Sequence, residues 1–189
     1  MNLEFLFNAL TYVWLAGEIL IALVTTTREG RGKIQDRGTQ IILWVVLIAS
    51  FKIEEWMHGF LPADMPGSHS WLRPAAFAIL VLGLCVRASA IVTLGRAFSA
   101  NVALRAGQRL KRSGLYSLVR HPSYFGLELI LLAFGLHSRT WWCFAVVLIP
   151  PTLAVLYRIH VEEHALRAAF GADYEDYRRT TKRLIPGIY

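Results

Sequence analysis

A cationic, aromatic turn meets a long apolar run at Gly114-Leu-Tyr-Ser-Leu-Val-Arg-His-Pro-Ser-Tyr-Phe-Gly126. Proline suits the first turn of a helix, because its missing N–H costs nothing there and its φ is already helical. Pro122 is therefore predicted to begin a helix that enters a membrane. The free N–H groups and positive dipole end of that helix would face the water boundary beside Arg120 and His121, where an anion is favoured.

The composition on both sides of this turn is that of a membrane protein. Of the 189 residues, 55% are hydrophobic and 17% are charged, whereas a soluble domain of this size is more polar. A helix needs about 20 apolar residues to cross a bilayer core. The candidate runs are 3–24, 39–57, 71–94, 122–136 and 141–157. The predicted fold class is all-α, a polytopic membrane protein with about five transmembrane helices.

The basic residues favour one side of this topology. With five spans, sixteen of the twenty Lys and Arg residues fall in the stretches 25–38, 96–120 and 158–183, which lie on the same side. Because basic loops stay in the cytoplasm, the amino terminus is predicted outside and the carboxyl terminus inside, with the cell inner membrane as the location. The net charge of +7 is assigned to this bias and to contact with anionic lipid. Nucleic acid is therefore not expected as a partner.

The pattern turns amphipathic beyond the fifth run. Residues 161–171 are predicted to form an amphipathic helix that Gly171 ends. Asp173 then caps a further helical segment that places Tyr174 and Tyr177 on one face. This cytoplasmic tail is expected to fold back over the inner ends of the fourth and fifth spans. Between the first two spans, the three glycines of 25–38 predict a polar loop.

Polar residues converge at the inner ends of the fourth and fifth spans. Arg158, Glu162 and Glu163 lie at the end of the fifth span, which a four-residue loop joins to the fourth. Arg158 and Glu162 are four residues apart and share a helix face, although a surface ion pair explains that spacing equally well. No cluster has the spacing of a zinc site, and the two cysteines lie inside apolar runs. A metal centre is therefore not predicted.

An ordered set of motifs resembles the isoprenylcysteine carboxyl methyltransferase family, within the wider set of membrane methyltransferases that includes phospholipid methyltransferases. The motifs are Leu94-Gly95-x-x-Phe98-Ser99, Gly114-x-Tyr116, Arg120-His-Pro-x-Tyr-x-Gly126, Glu162-Glu163, Phe170-Gly171-x-x-Tyr174-x-x-Tyr177 and Arg183-x-x-Pro186. The resemblance covers about residues 94–189, and the first two spans resemble nothing specific. It implies one membrane methyltransferase domain over 1–189, with variable helices in 1–60 and a cofactor-binding, catalytic half in 94–189.

The resemblance also implies the cofactor S-adenosyl-L-methionine, bound without a Rossmann domain. It implies that Arg158 and Glu162 are catalytic, with Arg158 at the substrate. Aromatic faces such as that of Tyr124 suit the sulfonium and adenine of the cofactor, and a helix start flanked by cations suits its carboxylate. The implied cofactor-binding residues are Asn101, Gln108, Arg109, Leu110, Lys111, Tyr116, Arg120, His121, Pro122, Ser123, Tyr124, Glu162 and Glu163.

The expected reaction is methyl transfer to a lipophilic or lipidated acceptor at the cytoplasmic membrane face, reached from the bilayer. The first choice is the α-carboxylate of a prenylcysteine-like substrate, which is ionised at neutral pH and needs no general base. Eukaryotic members have an acidic run where His160 and Val161 stand here, which leaves a phospholipid amine or a small thiol as alternatives. Those acceptors must lose a proton, for which His121 or Glu163 is available. A non-catalytic scaffold or transporter is the alternative from another class, although the halves show no inverted repeat.

Three charged residues lie inside predicted spans: Glu18, Arg87 and Glu128. Each is six or seven residues from the cytoplasmic end, which is roughly 10 Å at the helical rise. Charges at such depth are costly unless they are paired or hydrated. Arg87 is therefore predicted to pair with Glu18, Glu128 or both, and the alternative is that each charge reaches water separately.

Overall fold

The structure is a computed structural model that describes residues 2–29, 33–36, 38–58, 60, 65, 71–95, 102–104 and 110–189. In chain order its elements are α1 (Leu3–Glu29), β1 (Lys33–Asp36), α2 (Gly38–His58), α3 (Leu72–Leu94), β2 (Val102–Leu104), a 3₁₀ turn (Gly114–Ser117), α4 (Pro122–Ser138), α5 (Trp141–Phe170) and α6 (Ala172–Thr180). Helices dominate these residues, so the predicted helical class is confirmed.

Three of the described helical segments are long and apolar enough to cross a membrane: Leu3–Val24, Leu72–Leu94 and Trp141–Phe170. They support an integral membrane protein. α4 has 17 residues, slightly fewer than the about 20 that a crossing takes. α2 carries three charged residues close together near its end, Lys52, Glu54 and Glu55. Five crossings and the side of the membrane on which the tail lies stay predictions.

Three predicted element boundaries are wrong, and one of them is the start of α6, which begins at Ala172 after an N-cap at Gly171 and not after a cap at Asp173. α1 continues to Glu29, and Lys33–Asp36 form a strand that pairs antiparallel with Val102–Leu104, so 25–38 is not a polar loop throughout. That pairing depends on a partner some seventy residues away, which a local pattern does not reveal. α5 is one helix of 30 residues, not a span ending at 157 followed by a second helix. Nothing between Tyr157 and Val161 breaks a helix, so it continues until Gly171, where φ is +51°.

The crossing of α3 and α4 depends on two glycines. A Cβ added to Gly126 would lie 2.7 Å from the backbone nitrogen of Arg87 and 2.8 Å from the carbonyl oxygen of Gly83. A Cβ added to Gly83 would lie 2.9 Å from the carbonyl oxygen of Gly126. Small residues allow this close backbone approach between membrane helices. The contact brings the Arg87 side chain to the start of α4.

We expect Gly126→Ala to destabilise the protein, because its new methyl group must displace backbone and not a flexible side chain. Overpacking of this kind costs about 1 to 3 kcal/mol. The matched control is Gly17→Ala in α1, where an added Cβ meets no atom within 4 Å. Thermal unfolding in detergent measures both, and an unchanged midpoint for Gly126→Ala would contradict the close crossing.

The tail folds back onto the start of α4, as predicted. After α6, the backbone N–H of Arg120 donates to the carbonyl of Lys182 at 2.8 Å, and that of His121 donates to the carbonyl of Arg183 at 3.1 Å. Val119 and Lys182 form an isolated parallel bridge at the same place. The tail thereby fixes the backbone immediately before Pro122.

Candidate functional site

The hydroxyl of Tyr124 joins α4 to two charged residues of α5. It donates to Oε2 of Glu162 at 2.9 Å and accepts a hydrogen bond from Nε of Arg158 at 2.6 Å. Arg158 is 2% exposed, and its Nη1 donates to Oγ1 of Thr39 at 3.0 Å. The predicted convergence of Arg158 and Glu162 on one face is therefore confirmed, with the start of α2 as a further support.

Glu163 faces a different set of partners from those of Glu162. Its buried carboxylate accepts hydrogen bonds from Nε of Arg120 at 3.0 Å and from Nη2 of Arg183 at 2.8 Å. Arg120 also donates to the carbonyls of Arg178 and Thr181. This carboxylate thus holds the tail against the turn that precedes α4.

His121 lies between the two glutamates. Its Nδ1 is 4.0 Å from Oε2 of Glu162, and its Nε2 is 3.5 Å from Oε1 of Glu163. The residue is 4% exposed. Each ring nitrogen of His121 therefore faces one of the two carboxylates.

Three tyrosines form an aromatic wall under the tail. The hydroxyl of Tyr177 donates to the carbonyl of Tyr116 at 2.5 Å, and the hydroxyl of Tyr116 donates to the carbonyl of Ala90 at 3.4 Å. Burial raises the pKa of Tyr177 to about 12, and burial with the nearby charge of Glu162 raises the pKa of Tyr116. Both phenols therefore stay neutral at physiological pH. The predicted common face of Tyr174 and Tyr177 is confirmed, since both are buried.

Arg87 connects the interior of the bundle to the first turn of α4. Its Nε and Nη2 donate to the carboxylate of Glu18, and its Nη1 donates to the carbonyl and the hydroxyl of Ser123, both at 3.0 Å. The predicted pairing is thus confirmed for Glu18. It is wrong for Glu128, whose carboxylate accepts instead from Thr152 at 2.6 Å. The rotation of α4 turns Glu128 towards α5.

We expect Arg87→Leu to lower the free energy of unfolding by about 3 kcal/mol, because it leaves a buried carboxylate without its cation. This loss is at the low end of the about 3 to 5 kcal/mol expected for a broken buried ion pair, because Trp14 continues to donate to Glu18. Adding Glu18→Gln should recover part of the loss, whereas adding Glu128→Gln should not. Thermal unfolding of this double-mutant cycle in detergent is the measurement, and strictly additive losses for Arg87 and Glu18 would argue against the pair.

The structure brings together most of the predicted site residues that it describes. Pro122 starts α4 as predicted and is buried, and Ser123 is engaged by Arg87. Leu110 is partly buried and Lys111 is exposed, and no described contact brings either into the cluster. Asn101, Gln108 and Arg109 lie outside the described residues.

Sequence reasoning missed Thr39 and underrated Arg183 as members of this cluster. Arg183 lies in one of the motifs but is not among the predicted site residues. A tail that folds back over the fifth span would bring this arginine to Glu162 and Glu163. Thr39 has no local signal beyond its position at the start of a span on the predicted cytoplasmic side. Its contact with Arg158 depends on how α2 packs against α5.

Comparison with known proteins identifies a matching family and several proteins of similar sequence. The model of the isoprenylcysteine carboxyl methyltransferase family matches residues 76–168. Protein-S-isoprenylcysteine O-methyltransferase B of Arabidopsis thaliana is 29% identical over 126 residues, which are 64% of this chain and 62% of that protein. Methanethiol S-methyltransferase 2 of Bradyrhizobium diazoefficiens is 34% identical over 84 residues, which are 44% of this chain and 31% of that protein. The chain therefore spans less than two thirds of the length of these relatives.

A solved structure shares the fold. The eukaryotic intramembrane Ras methyltransferase, an isoprenylcysteine carboxyl methyltransferase, superposes with a TM-score of 0.62 at 23% identity. The match covers 81% of this chain and 54% of that one.

Proposed function

We propose, from the match of residues 76–168 to the model of the isoprenylcysteine carboxyl methyltransferase family, that the chain is a member of this family and a membrane methyltransferase. It transfers a methyl group from S-adenosyl-L-methionine to the α-carboxylate of a prenylcysteine-like substrate. Two hydrogen bonds carry this proposal. Through them the hydroxyl of Tyr124 joins the carboxylate of Glu162 to the buried guanidinium of Arg158. The catalytic half is residues 94–189, and it follows the variable helices of 1–60. The site lies at the cytoplasmic face of the inner membrane, and the amino terminus lies outside.

The polar groups around His121 fit the proposed cofactor. S-adenosyl-L-methionine, when bound, supplies an electrophilic methyl group on a positively charged sulfonium. Glu162 accepts only one described hydrogen bond and keeps 30% of its side chain exposed, so it can accept further bonds from amino or ribose groups. His121 places a buried imidazole between the two carboxylates, and the rings of Tyr116 and Tyr124 offer aromatic faces to a cation.

Arg120 and Glu163 support this site through hydrogen bonds to each other and to the tail. Their mutual hydrogen bond and their contacts to the tail occupy both side chains. We therefore assign them to positioning His121 and not to direct contact with the cofactor. Direct contacts from Asn101, Gln108, Arg109, Leu110 and Lys111 stay predictions.

Arg158 is assigned to the acceptor. Its guanidinium is held in one orientation by Tyr124 and Thr39 and is shielded from water. A planar guanidinium matches the two oxygens of a carboxylate, and a fixed orientation reduces the entropic cost of aligning the nucleophile. In this arrangement the chain needs to place the carboxylate and exclude water, and no side chain needs to remove a proton.

A thiol acceptor is the second candidate, because one relative is named as a methanethiol S-methyltransferase. A thiol has a pKa of about 8.5 and reacts as the thiolate, so this reaction requires a base. Glu163 is a poor candidate because two guanidinium groups engage its carboxylate. His121 would then be the base. No comparable observation favours a phospholipid amine.

The experiment that tests the proposal is transfer of labelled methyl from S-adenosyl-L-methionine, with the protein purified in detergent. Three acceptors are compared: N-acetyl-S-farnesylcysteine, hexadecanethiol and a phosphatidylethanolamine. We expect label in the first as a base-labile ester, at a rate that does not rise between pH 6.5 and 8.5, since the carboxylate is already ionised at about pH 4. Transfer only to the thiol, at a rate that rises with pH and is lost in His121→Gln, would replace the carboxylate with the thiol. No transfer to any acceptor, with no binding of the cofactor, would favour the scaffold.

Arg158→Lys should reduce turnover on the farnesylcysteine acceptor by about tenfold, because a lysine cannot make the planar two-point contact. Affinity for S-adenosyl-L-methionine should change by less than about twofold. Calorimetry in detergent gives the affinity, and initial rates at saturating cofactor give the turnover. An equal loss of cofactor affinity would place Arg158 at the cofactor instead.

A further inference from the structure

Two histidines lie on one face of α5, in the part of this helix that follows its apolar run. His160 and His164 are four residues apart, which puts their side chains on adjacent turns. Both are exposed, and their ring centroids are 4.6 Å apart with an interplanar angle of 68°. Neither imidazole makes a hydrogen bond or an ion pair within the part of the chain that the structure describes. The two rings are therefore accessible to a small ligand.

This pair is not part of the site proposed above. Successive residues of a helix differ by about 100°, so His160 and Glu162 point in directions about 160° apart. Glu163 lies between the two histidines in sequence, but it is buried and engaged by Arg120 and Arg183. The proposed methyl transfer therefore gives the histidine pair no role.

The distance between the rings matches two ligands of one metal ion. Histidines four residues apart on a helix hold zinc in several enzymes, and imidazole nitrogens bind such ions at about 2.0–2.1 Å. At that bond length, two rings about 90° apart around one ion have centroids roughly 4.5 Å apart. The observed 4.6 Å is close to this value, so a rotation of the exposed rings is sufficient to aim one nitrogen of each at a common ion. Exposed side chains make such rotations freely.

The two arginines of α5 are held by other partners. Arg158 is buried and donates to Tyr124 on the inner face of the helix. Arg167 lies 3.9 Å from Glu163 and 3.3 Å from Glu175, so its charge is compensated. Neither guanidinium of this helix therefore opposes a metal ion at the pair.

The kind of ion follows from the ligands. Imidazole suits Cu²⁺, Ni²⁺ and Zn²⁺, whereas Mg²⁺ and Ca²⁺ prefer oxygen ligands. Of the first three, Cu²⁺ binds a given set of nitrogen ligands most tightly. Among the described residues, no group of three or more His, Cys, Asp or Glu could hold a metal, so water completes the coordination. Two imidazoles are half of a structural zinc site, which is why their spacing alone predicted no metal centre.

We propose that His160 and His164 bind one divalent transition-metal ion through one nitrogen of each ring, and that they bind Cu²⁺ more tightly than Ni²⁺ or Zn²⁺. The ion bridges the turn of α5 that carries Glu162 and Glu163, so it stabilises that turn as a helix. The proposal does not rest on the methyltransferase activity.

Binding of Cu²⁺ to the full chain in detergent, prepared without a polyhistidine tag, tests the proposal. Electron paramagnetic resonance gives the number of imidazoles bound to the ion, and competition with a chelator of known affinity gives the dissociation constant. We expect one tight site per chain with two imidazole ligands. Ni²⁺ and Zn²⁺ should displace Cu²⁺ only at higher concentrations, and Mg²⁺ should not displace it.

His160→Gln and His164→Gln each leave a single imidazole at this place. Each should weaken Cu²⁺ binding by about tenfold or more, because the second ligand of a chelate binds at a high effective concentration. Both side chains are exposed, so neither change should alter the thermal midpoint of the metal-free protein.

A pair of double variants separates the spacing of the histidines from their number. His160→Gln with Ala168→His places a histidine four residues after His164, and should restore the parental affinity within about threefold. The matched control is His160→Gln with Ala169→His, in which the two histidines are five residues and about 140° apart. It should bind Cu²⁺ no better than His160→Gln alone. Both alanines are exposed, so neither substitution disturbs packing.

Three results would overturn the proposal: a single imidazole on the Cu²⁺ bound to the parent, unchanged affinity in both single variants, or equal affinity in the two double variants. If a double variant does not fold, the single variants and the number of bound imidazoles decide.

Discussion

Glu163→Gln is expected to lower the free energy of unfolding by about 3 to 5 kcal/mol, the cost of removing one partner from a buried ion pair. The carboxylate of Glu163 is 1% exposed and holds Arg120 and Arg183, and the Arg120 side chain is itself only 8% exposed. A glutamine keeps the shape but leaves two guanidinium groups without their anion. For a chain of this length the thermal midpoint should fall by about 10 °C.

The neighbouring residue supplies the control for this prediction. Glu162→Gln makes the same chemical change one position earlier, at a side chain that is 30% exposed and bonded to a tyrosine hydroxyl. Its midpoint in detergent should fall by no more than about 3 °C, since the loss is one partly exposed hydrogen bond. If the two variants unfold at the same temperature, Glu163 does not hold the tail.

Glu162→Gln should instead weaken S-adenosyl-L-methionine binding by about 10- to 100-fold. A hydrogen bond to a charged group contributes about 1.5 to 3 kcal/mol, and every 1.4 kcal/mol is a factor of ten in affinity. The variant retains an acceptor oxygen but loses the negative charge that would face the cation. Calorimetry with the folded protein in detergent gives the affinity directly.

Glu128→Gln is the control for cofactor binding. It makes the same chemical change on α4, at a carboxylate that accepts a hydrogen bond from Thr152 and lies outside the cluster. Its cofactor affinity should match the parent within about twofold. Parental affinity in Glu162→Gln would remove this residue from the site, whatever the activity of the protein.

Local rules predicted the parts of the site that lie within one element. Pro122 begins α4 because proline at the first helical position is favoured wherever it occurs. Arg158 and Glu162 share a face because four residues make about one turn of any helix. The depth of Arg87 within a span was sufficient to predict a buried partner.

Contacts between elements could not be predicted from such local rules. Glu162 and Glu163 differ by about 100° around α5, and only the position of the tail shows which of them meets Arg183. The choice between Glu18 and Glu128 as the partner of Arg87 depended on the rotation of α4, which the Gly83–Gly126 contact fixes. The pairing of Lys33–Asp36 with Val102–Leu104 likewise depends on packing between distant segments.

The hydrogen bonds from Arg120 and His121 to Lys182 and Arg183 have a consequence for biogenesis. A ribosome makes the chain from its amino terminus, so the first residues of α4 are made about sixty residues before the segment that shapes the start of this helix. The membrane helices can therefore be inserted while the loop before Pro122 still lacks its partner. A chain that ends between α5 and residue 182 is therefore expected to keep its apolar helices but to lack the contacts that shape the start of α4.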